Sequence, residues 1–263
     1  MELIFGTLGL ARRLEAAEAK NAAGFAHASG NAALSIAAGE AAFVGVGSPL
    51  THAVGIGMAG PVSDADLDRL EEFYRVRDTA VVLDVCPLAD PSLHQLLGER
   101  GYRITEFNNV LVRRLEPGAS FHEADFVRRA QTAEEDAWTR TVARGFFERD
   151  QMTLDEQILT STIFGLDSGA CWLASVDETP AAAAAIAVED GVGTFFADST
   201  ITTYRRRGLQ SALIQARLAY AVERGCDLVT ASTMPGSSSQ FNYERLGFRV
   251  IYTKYIMARN TPI

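Results

Sequence analysis

Asp198-Ser199-Thr200-Ile201-Thr202-Thr203-Tyr204-Arg205-Arg206-Arg207-Gly208-Leu209-Gln210-Ser211-Ala212-Leu213 is strand-like text that stops at three arginines and a glycine. A helix pattern follows, with a polar first turn containing Gln210 and Ser211. Three consecutive arginines are ordinarily a solvated surface. Here they sit at a strand-to-helix turn, where the first N–H groups of the helix have no partner. A helix N-terminus carries about half a positive charge and disfavours neighbouring cations by ~0.3–1 kcal/mol each. An anion resolves that conflict, because the free amides and the arginines would both donate to it. Charge-assisted hydrogen bonds contribute roughly 1.5–3 kcal/mol each, and a glycine at 208 lets the backbone come close. The pattern predicts a phosphate-bearing ligand, with a merely basic loop as the alternative.

Working outward, the text before the arginines predicts three strands, over 171–176, 181–189 and 194–201. Asp177-Glu178-Thr179-Pro180 and Gly191-Val192-Gly193 stand between them as hairpin turns. The alanines at 181–185 favour a helix by propensity, but two flanking turn signals make a strand the better reading. Helices are predicted over 134–147, with Thr132 as cap and Glu135 in the capping-box position, and over 154–164. After the loop come a helix over 208–223, a strand over 228–232, a helix over 238–246 and a final strand.

In the first half, helices are predicted over 2–23, 63–76 and 91–99, and strands over 41–47, 51–57, 80–85 and 109–115. Ser63 caps the second of these helices, and Leu67, Leu70 and Tyr74 share one face. A Pro117-Gly118 pair breaks the chain between the halves. Each half ends alike. Gly101-Tyr102-Arg103 leads into a long strand, as does Gly247-Phe248-Arg249, which suggests internal duplication.

The 263 residues are 48% hydrophobic and 22% charged, the balance of a globular chain long enough for two domains. A formal net charge of −9 argues against a nucleic-acid partner, whose affinity rests on phosphate neutralisation. Three scattered cysteines and four scattered histidines make neither a disulfide framework nor a metal-ligand spacing. The apolar stretch 3–11 lacks the flanks of a secretory signal, and no run is long enough for a membrane helix. The expected location is the cytoplasm, with no membrane partner and no metal.

Tyr204 to Leu213 resembles the acyl-CoA loop of the GNAT N-acetyltransferase superfamily, whose pattern is Gln/Arg-x-x-Gly-x-Gly/Ala. Downstream, Asn242-Tyr243-Glu244-Arg245-Leu246-Gly247-Phe248 resembles the family's Tyr-x-x-x-Gly-Phe segment. Gln210 departs from the pattern where Gly or Ala is usual, and Thr202-Thr203 replace a common proline. The resemblance implies acetyl transfer from acetyl-CoA to an amine by direct attack on the thioester. The main chain of Ser199, Thr200 and Ile201 would then hold the pantetheine arm. Arg205, Arg206, Arg207, Gly208, Leu209, Gln210 and Ser211 would hold the pyrophosphate, and Ser239 stands beside them as a further cofactor contact or a helix cap. Tyr243 matches the tyrosine that protonates the departing thiolate in many members, or it packs against the cofactor. Asp198 is the best-placed base and could equally cap the loop. Cys171, Cys226 and Ser239 are weak nucleophile candidates, since no histidine lies near them in sequence.

The implied fold is α+β, with two GNAT-like domains, each a mixed, mostly antiparallel twisted sheet flanked by helices. Residues 1–118 would be a degenerate N-terminal copy and 121–263 the catalytic one. A literal G-x-G-x-x-G at Gly55-Ile56-Gly57-Met58-Ala59-Gly60 suggests a dinucleotide site, but Asp64, Asp66 and Asp68 in the helix that follows would repel a diphosphate. Acyl-CoA binding without turnover is the alternative to transfer. The acceptor, a small-molecule or peptide amine, and the oligomeric state are not legible.

Overall fold

In the computed structural model, which describes residues 4–259, the alanine run is a strand. β8 (Thr179–Glu189) lies between β7 (Gly169–Val176) and β9 (Val192–Thr200), antiparallel to both. The two hairpin turns place Asp177 and Glu178, then Asp190 and Gly191, at positive φ. Such turns match the right-handed twist of paired strands. Helices α4 (Glu135–Phe147) and α6 (Leu209–Glu223) both pack on β8 and β9. Every residue from 181 to 187 is buried, so β8 is covered on both faces. Small alanine side chains let the covering helices approach closely, which explains why a helix-favouring residue fills this strand.

The chain folds into two compact units, and the described residues of the C-terminal one are 111–232 and 236–249. Its strands run in the order β10 (Leu228–Thr233), β9, β8, β7 and β6 (Val127–Arg129), and it also holds the last residues, from 111, of β5 (Arg103–Arg114). Strands β9 and β10 pair in parallel, and the β6–β9 ladders are antiparallel. The core joins Ala182, Ala184 and Ile186 of β8 to Leu213, Ile214 and Leu218 of α6. Helix α5 (Leu154–Phe164) lies against α4 and starts at a capping box between Thr153 and Glu156. The 3₁₀ turn Thr132–Glu134 precedes α4. Thr132 does not cap it, because Glu134 turns back to accept from the Gln131 amide at 3.0 Å. The short strand β6 had no signal in the sequence.

The other unit comprises residues 4–110, 233–235 and 250–259 of those described. Its strand order is β1 (Ala33–Ile36), β2 (Gly39–Ala42), β3 (Ala53–Val54), β4 (Val81–Val85), β11 (Arg249–Arg259) and β5. Helix α1 (Leu8–Ala28) starts later and ends later than the composition suggested. Helices α2 (Asp64–Arg75), capped by Ser63 as predicted, and α3 (Pro91–Glu99) lie where the sequence placed them, and Asp90 caps α3. Strand β11 pairs with β4 through Tyr255↔Val85 and Met257↔Leu83. Its Lys254 is buried in ion pairs with Glu15, at 3.1 Å, and Glu18 of α1. The division expected at residues 118–121 therefore differs from the compact units at the last strand, which these contacts hold in the N-terminal unit.

The two similar half-ends carry the same helix-closing hydrogen bonds. In α3 the Gly101 amide donates to Gly98 O and the Tyr102 amide to Leu97 O. After α7 (Ser238–Arg245), Gly247 donates to Glu244 O and Phe248 to Tyr243 O. Both glycines have positive φ, the left-handed conformation that closes a helix without Cβ strain.

Candidate active site

The ladder between β9 and β10 ends at Phe195↔Ala231, although β9 continues to Thr200 and β10 to Thr233. Beyond that pair, β9 keeps its ladder to β8 alone. A bulge falls there too: Ala185 pairs with Phe196 and Ala183 with Ser199, so Ala197 and Asp198 together stand opposite Ala184 alone, one residue in excess, and Ala197 has φ 56°. The carbonyls at the break are satisfied by side chains. Trp138 Nε1 donates to Ala184 O at 3.3 Å, and Arg217 Nη1 donates to Ala185 O at 2.9 Å.

Asp198 and Tyr243, 45 residues apart, are brought together by this geometry. The Tyr243 hydroxyl donates to Asp198 Oδ2 at 2.6 Å. Arg217 of α6, wholly buried, donates to both oxygens of the same carboxylate, to Oδ2 at 3.2 Å and to Oδ1 through Nη2. It also donates to Leu213 O at 3.1 Å and lies 4.5 Å over the Phe195 ring. Burial lowers the pKa of Arg217, and the charge and hydrogen-bonding contributions of Asp198 and Tyr243 together more than offset it, leaving the guanidinium above its ordinary value. Burial, and then the adjacent Asp198, push the Tyr243 phenol well above its usual value. Its ring packs edge-on against Phe248 at 4.9 Å. Sequence reasoning missed Arg217. The available signal was its place four residues after Leu213, a charge on the apolar face of an amphipathic helix.

The arginine loop is shaped by two left-handed residues, Arg206 at φ 64° and Gly208 at φ 79°. Gly208 is the N-cap of α6, and its carbonyl accepts the first intrahelical bond, from Ala212 N at 3.0 Å. The amides of Leu209, Gln210 and Ser211 therefore precede that ladder. Nothing in the protein lies within 4 Å of a Cβ built on Gly208. Its φ, more than crowding inside the chain, calls for glycine.

The three arginines differ. Arg205 turns inward to Thr200 O at 3.2 Å, Gly145 O at 3.1 Å and Glu148 at 2.8 Å. Arg206 is exposed, and Arg207 is exposed and lies 5.5 Å over the Tyr204 ring. Gln210 donates to Ser239 Oγ at 2.9 Å and accepts from Asn242 at 2.7 Å, tying α6 to α7. Ser239 is not a helix cap: extended Ser237 holds that position and accepts from Gln240 N at 3.2 Å.

Ser199 faces α4. Its hydroxyl donates to Val142 O at 2.8 Å, and Gly145 passes so close that a Cβ there would run into Ser199 Oγ. Ile201 N donates to Ala181 O at 3.0 Å. Cys171 is buried, which pushes its thiol up to about 12 and leaves no thiolate near neutral pH. Among the described residues, no group of three or more His, Cys, Asp or Glu could hold a metal ion, and no helix is long and apolar enough to cross a membrane.

The glycines at 55–60 form a tight internal turn. Arg12 Nε donates to Met58 O at 2.6 Å, the Gly57 amide donates to Ala37 O, and Ile56 and Met58 are buried. The Ser63–Asp66 capping box occupies the start of the next helix. A diphosphate would meet carboxylates and amides already used.

Residues 130–248 match the model of the acetyltransferase (GNAT) family. No curated protein matches the chain. Among solved structures, a GCN5-related N-acetyltransferase from Kribbella flavida is similar over 97% of this chain and 98% of its own, with a TM-score of 0.70 and 19% identity. A tandem GNAT protein from the clavulanic acid biosynthesis pathway is similar over 76% of this chain and 70% of its own, with a TM-score of 0.55 and 14% identity. A GCN5-related N-acetyltransferase from Sphaerobacter thermophilus covers 69% of this chain and 59% of its own, at a TM-score of 0.51 and 17% identity. At these identities the likeness is one of fold, and in the first case it extends over both units. The open β9–β10 pair, the left-handed arginine loop and the matched family model agree, and residues 130–248 are an acetyltransferase domain of the GNAT family.

Proposed function

We propose that the protein transfers an acetyl group from acetyl-CoA to an amine, small-molecule or peptide, by direct attack of the neutral amine on the thioester. One observation carries the reading: the β9–β10 ladder stops at Phe195↔Ala231, directly before a left-handed loop that ends in the amides of Leu209, Gln210 and Ser211. In this reading the β9 main chain at Ser199, Thr200 and Ile201 hydrogen-bonds the pantetheine arm along the open edge. The loop amides from Arg207 to Ser211 take the pyrophosphate, with Arg206 and Arg207 free to add charge. Arg205 shapes the loop through Glu148 and Gly145, and Ser239 holds Gln210 in place. Asp198 receives the amine proton, and Tyr243 protonates the departing thiolate. The expected setting is the cytoplasm, where the three cysteines stay reduced.

A second reading, acyl-CoA binding without turnover, is favoured by the commitment of the Tyr243 hydroxyl to Asp198. Titration calorimetry with acetyl-CoA, with NADH in parallel, tests the cofactor. Thiol release with a panel of amines then separates the two readings. Binding with release supports transfer, binding without release supports the second reading, and no acetyl-CoA binding by folded protein free of bound CoA refutes both.

A further inference from the structure

Asp198 and Tyr243 share one hydrogen bond, and a third residue holds it. Arg217 is fully buried, and its guanidinium is fixed by the carbonyls of Leu213 and Ala185 as well as by both oxygens of Asp198. A buried arginine with four protein acceptors has no freedom to follow a substrate. Breaking a buried ion pair leaves an uncompensated charge and is strongly destabilising. The Asp198 carboxylate is therefore locked in one orientation, and Oδ2 is the oxygen presented to the Tyr243 hydroxyl.

We infer that Arg217 is a positioning residue that makes Asp198 and Tyr243 a single proton-transferring couple. This rests on the acetyl-transfer reading above. A phenol that loses its proton beside a carboxylate creates two like charges 2.6 Å apart in a buried site, which is strongly unfavourable. The loss becomes feasible when the carboxylate gains a proton in the same step. The sequence of events balances. The amine nitrogen bonds to the thioester carbon, and the adduct nitrogen gives its surplus proton to Asp198. The carbon–sulfur bond breaks, and the sulfur takes the Tyr243 proton. Asp198 then returns its proton to the Tyr243 oxygen, so the couple ends as it began. Thiolate protonation is thereby tied to deprotonation of the acceptor, and the protein needs no proton path from this buried site to solvent.

A kinetic cycle on the full-length protein tests the couple. Asp198→Asn, Tyr243→Phe and the double variant are compared for acetyl-CoA affinity, kcat and KM across pH. Each single change is expected to lower kcat about 10²-fold or more, the usual scale for general acid–base groups, with acetyl-CoA affinity within about threefold of the parent. The double variant is expected to lose no more than the worse single, because groups acting as a unit are not additive. Arg217→Gln is expected to lower kcat with little change in KM and to shift the pH profile of kcat. Arg217→Lys, which keeps the charge, should recover part of the rate. Where Arg217→Gln fails to fold, Asp198→Asn/Arg217→Gln removes both buried charges, and its kcat should match that of Asp198→Asn. Losses that multiply in the Asp198/Tyr243 double variant overturn the couple alone, as does an Arg217→Gln protein with the parent kcat and pH profile. A parent protein that binds acetyl-CoA but transfers to no amine overturns the transfer reading and the couple together.

Discussion

Gly145→Ala is the sharpest test of how α4 meets the cofactor strand. A Cβ at 145 would stand well inside van der Waals contact of Ser199 Oγ, 2.9 Å from Thr200 N and 3.0 Å from Thr200 C. Two of those three atoms are backbone, so a side-chain rotation cannot relieve the overlap. Either α4 retreats or β9 bends. Overpacking of this kind costs about 1–3 kcal/mol, and loss of the Ser199–Val142 hydrogen bond adds about 1 kcal/mol. The expected destabilisation is about 2–4 kcal/mol, read as a lower urea midpoint with unchanged slope. Since Ser199 and Thr200 are the proposed pantetheine contacts, a strand displaced by about 1 Å should also weaken turnover by up to about 10²-fold. Gly145→Ala/Ser199→Ala removes the hydroxyl but leaves the Thr200 backbone, so it should recover part of the stability and not all of it. A Gly145→Ala protein within about 0.5 kcal/mol of the parent would refute the close approach, and a double variant less stable than the single would refute its assignment to Ser199.

Three further outcomes are expected. Gly208→Asp places a negative side chain at φ 79° on the anion-facing turn, and acetyl-CoA binding by calorimetry should be lost while α6 helicity is kept; unchanged affinity would remove the phosphate assignment. In the N-terminal unit, burial lifts Glu15 from its ordinary 4.5 to about 7, against the pull of Lys254 and with a further push from Glu18. The folded state therefore holds a proton between those two values that the unfolded chain has released, and stability falls by up to about 3 kcal/mol as pH rises through that window. Glu15→Gln should flatten that decline in denaturant titrations and be the more stable protein above pH 7; an equal slope in both proteins would count against it. Glu148→Gln removes the exposed ion pair to Arg205 and should change stability by less than about 1 kcal/mol, whereas Arg205→Ala, which also frees Gly145 O and Thr200 O, should cost more in the same assay.

Local chemistry was legible in the sequence. The Ser63 cap set its helix. Turn residues made hairpins of 171–201, and the arginine–glycine loop named its family. These features depend on neighbours within a few residues, so a linear reading reaches them. Strand β6, the early start of β2, the short length of β2 and β3, and the membership of the last strand were not legible. Strands β6 and β11 depend on partners far away in sequence, β6 on β7 and β11 on β4 and on Glu15 of α1. The couple of Asp198 and Tyr243 shows the same division. Both residues stood out separately, one at the end of a strand and one in a family-like helix. Only the tertiary structure turned them toward each other, because a bulge at Ala197 re-aims the strand and a buried Arg217 fixes the carboxylate. Sequence sets local conformation through short-range sterics and hydrogen bonds, whereas a buried charge finds its partner only when helix and sheet close around it.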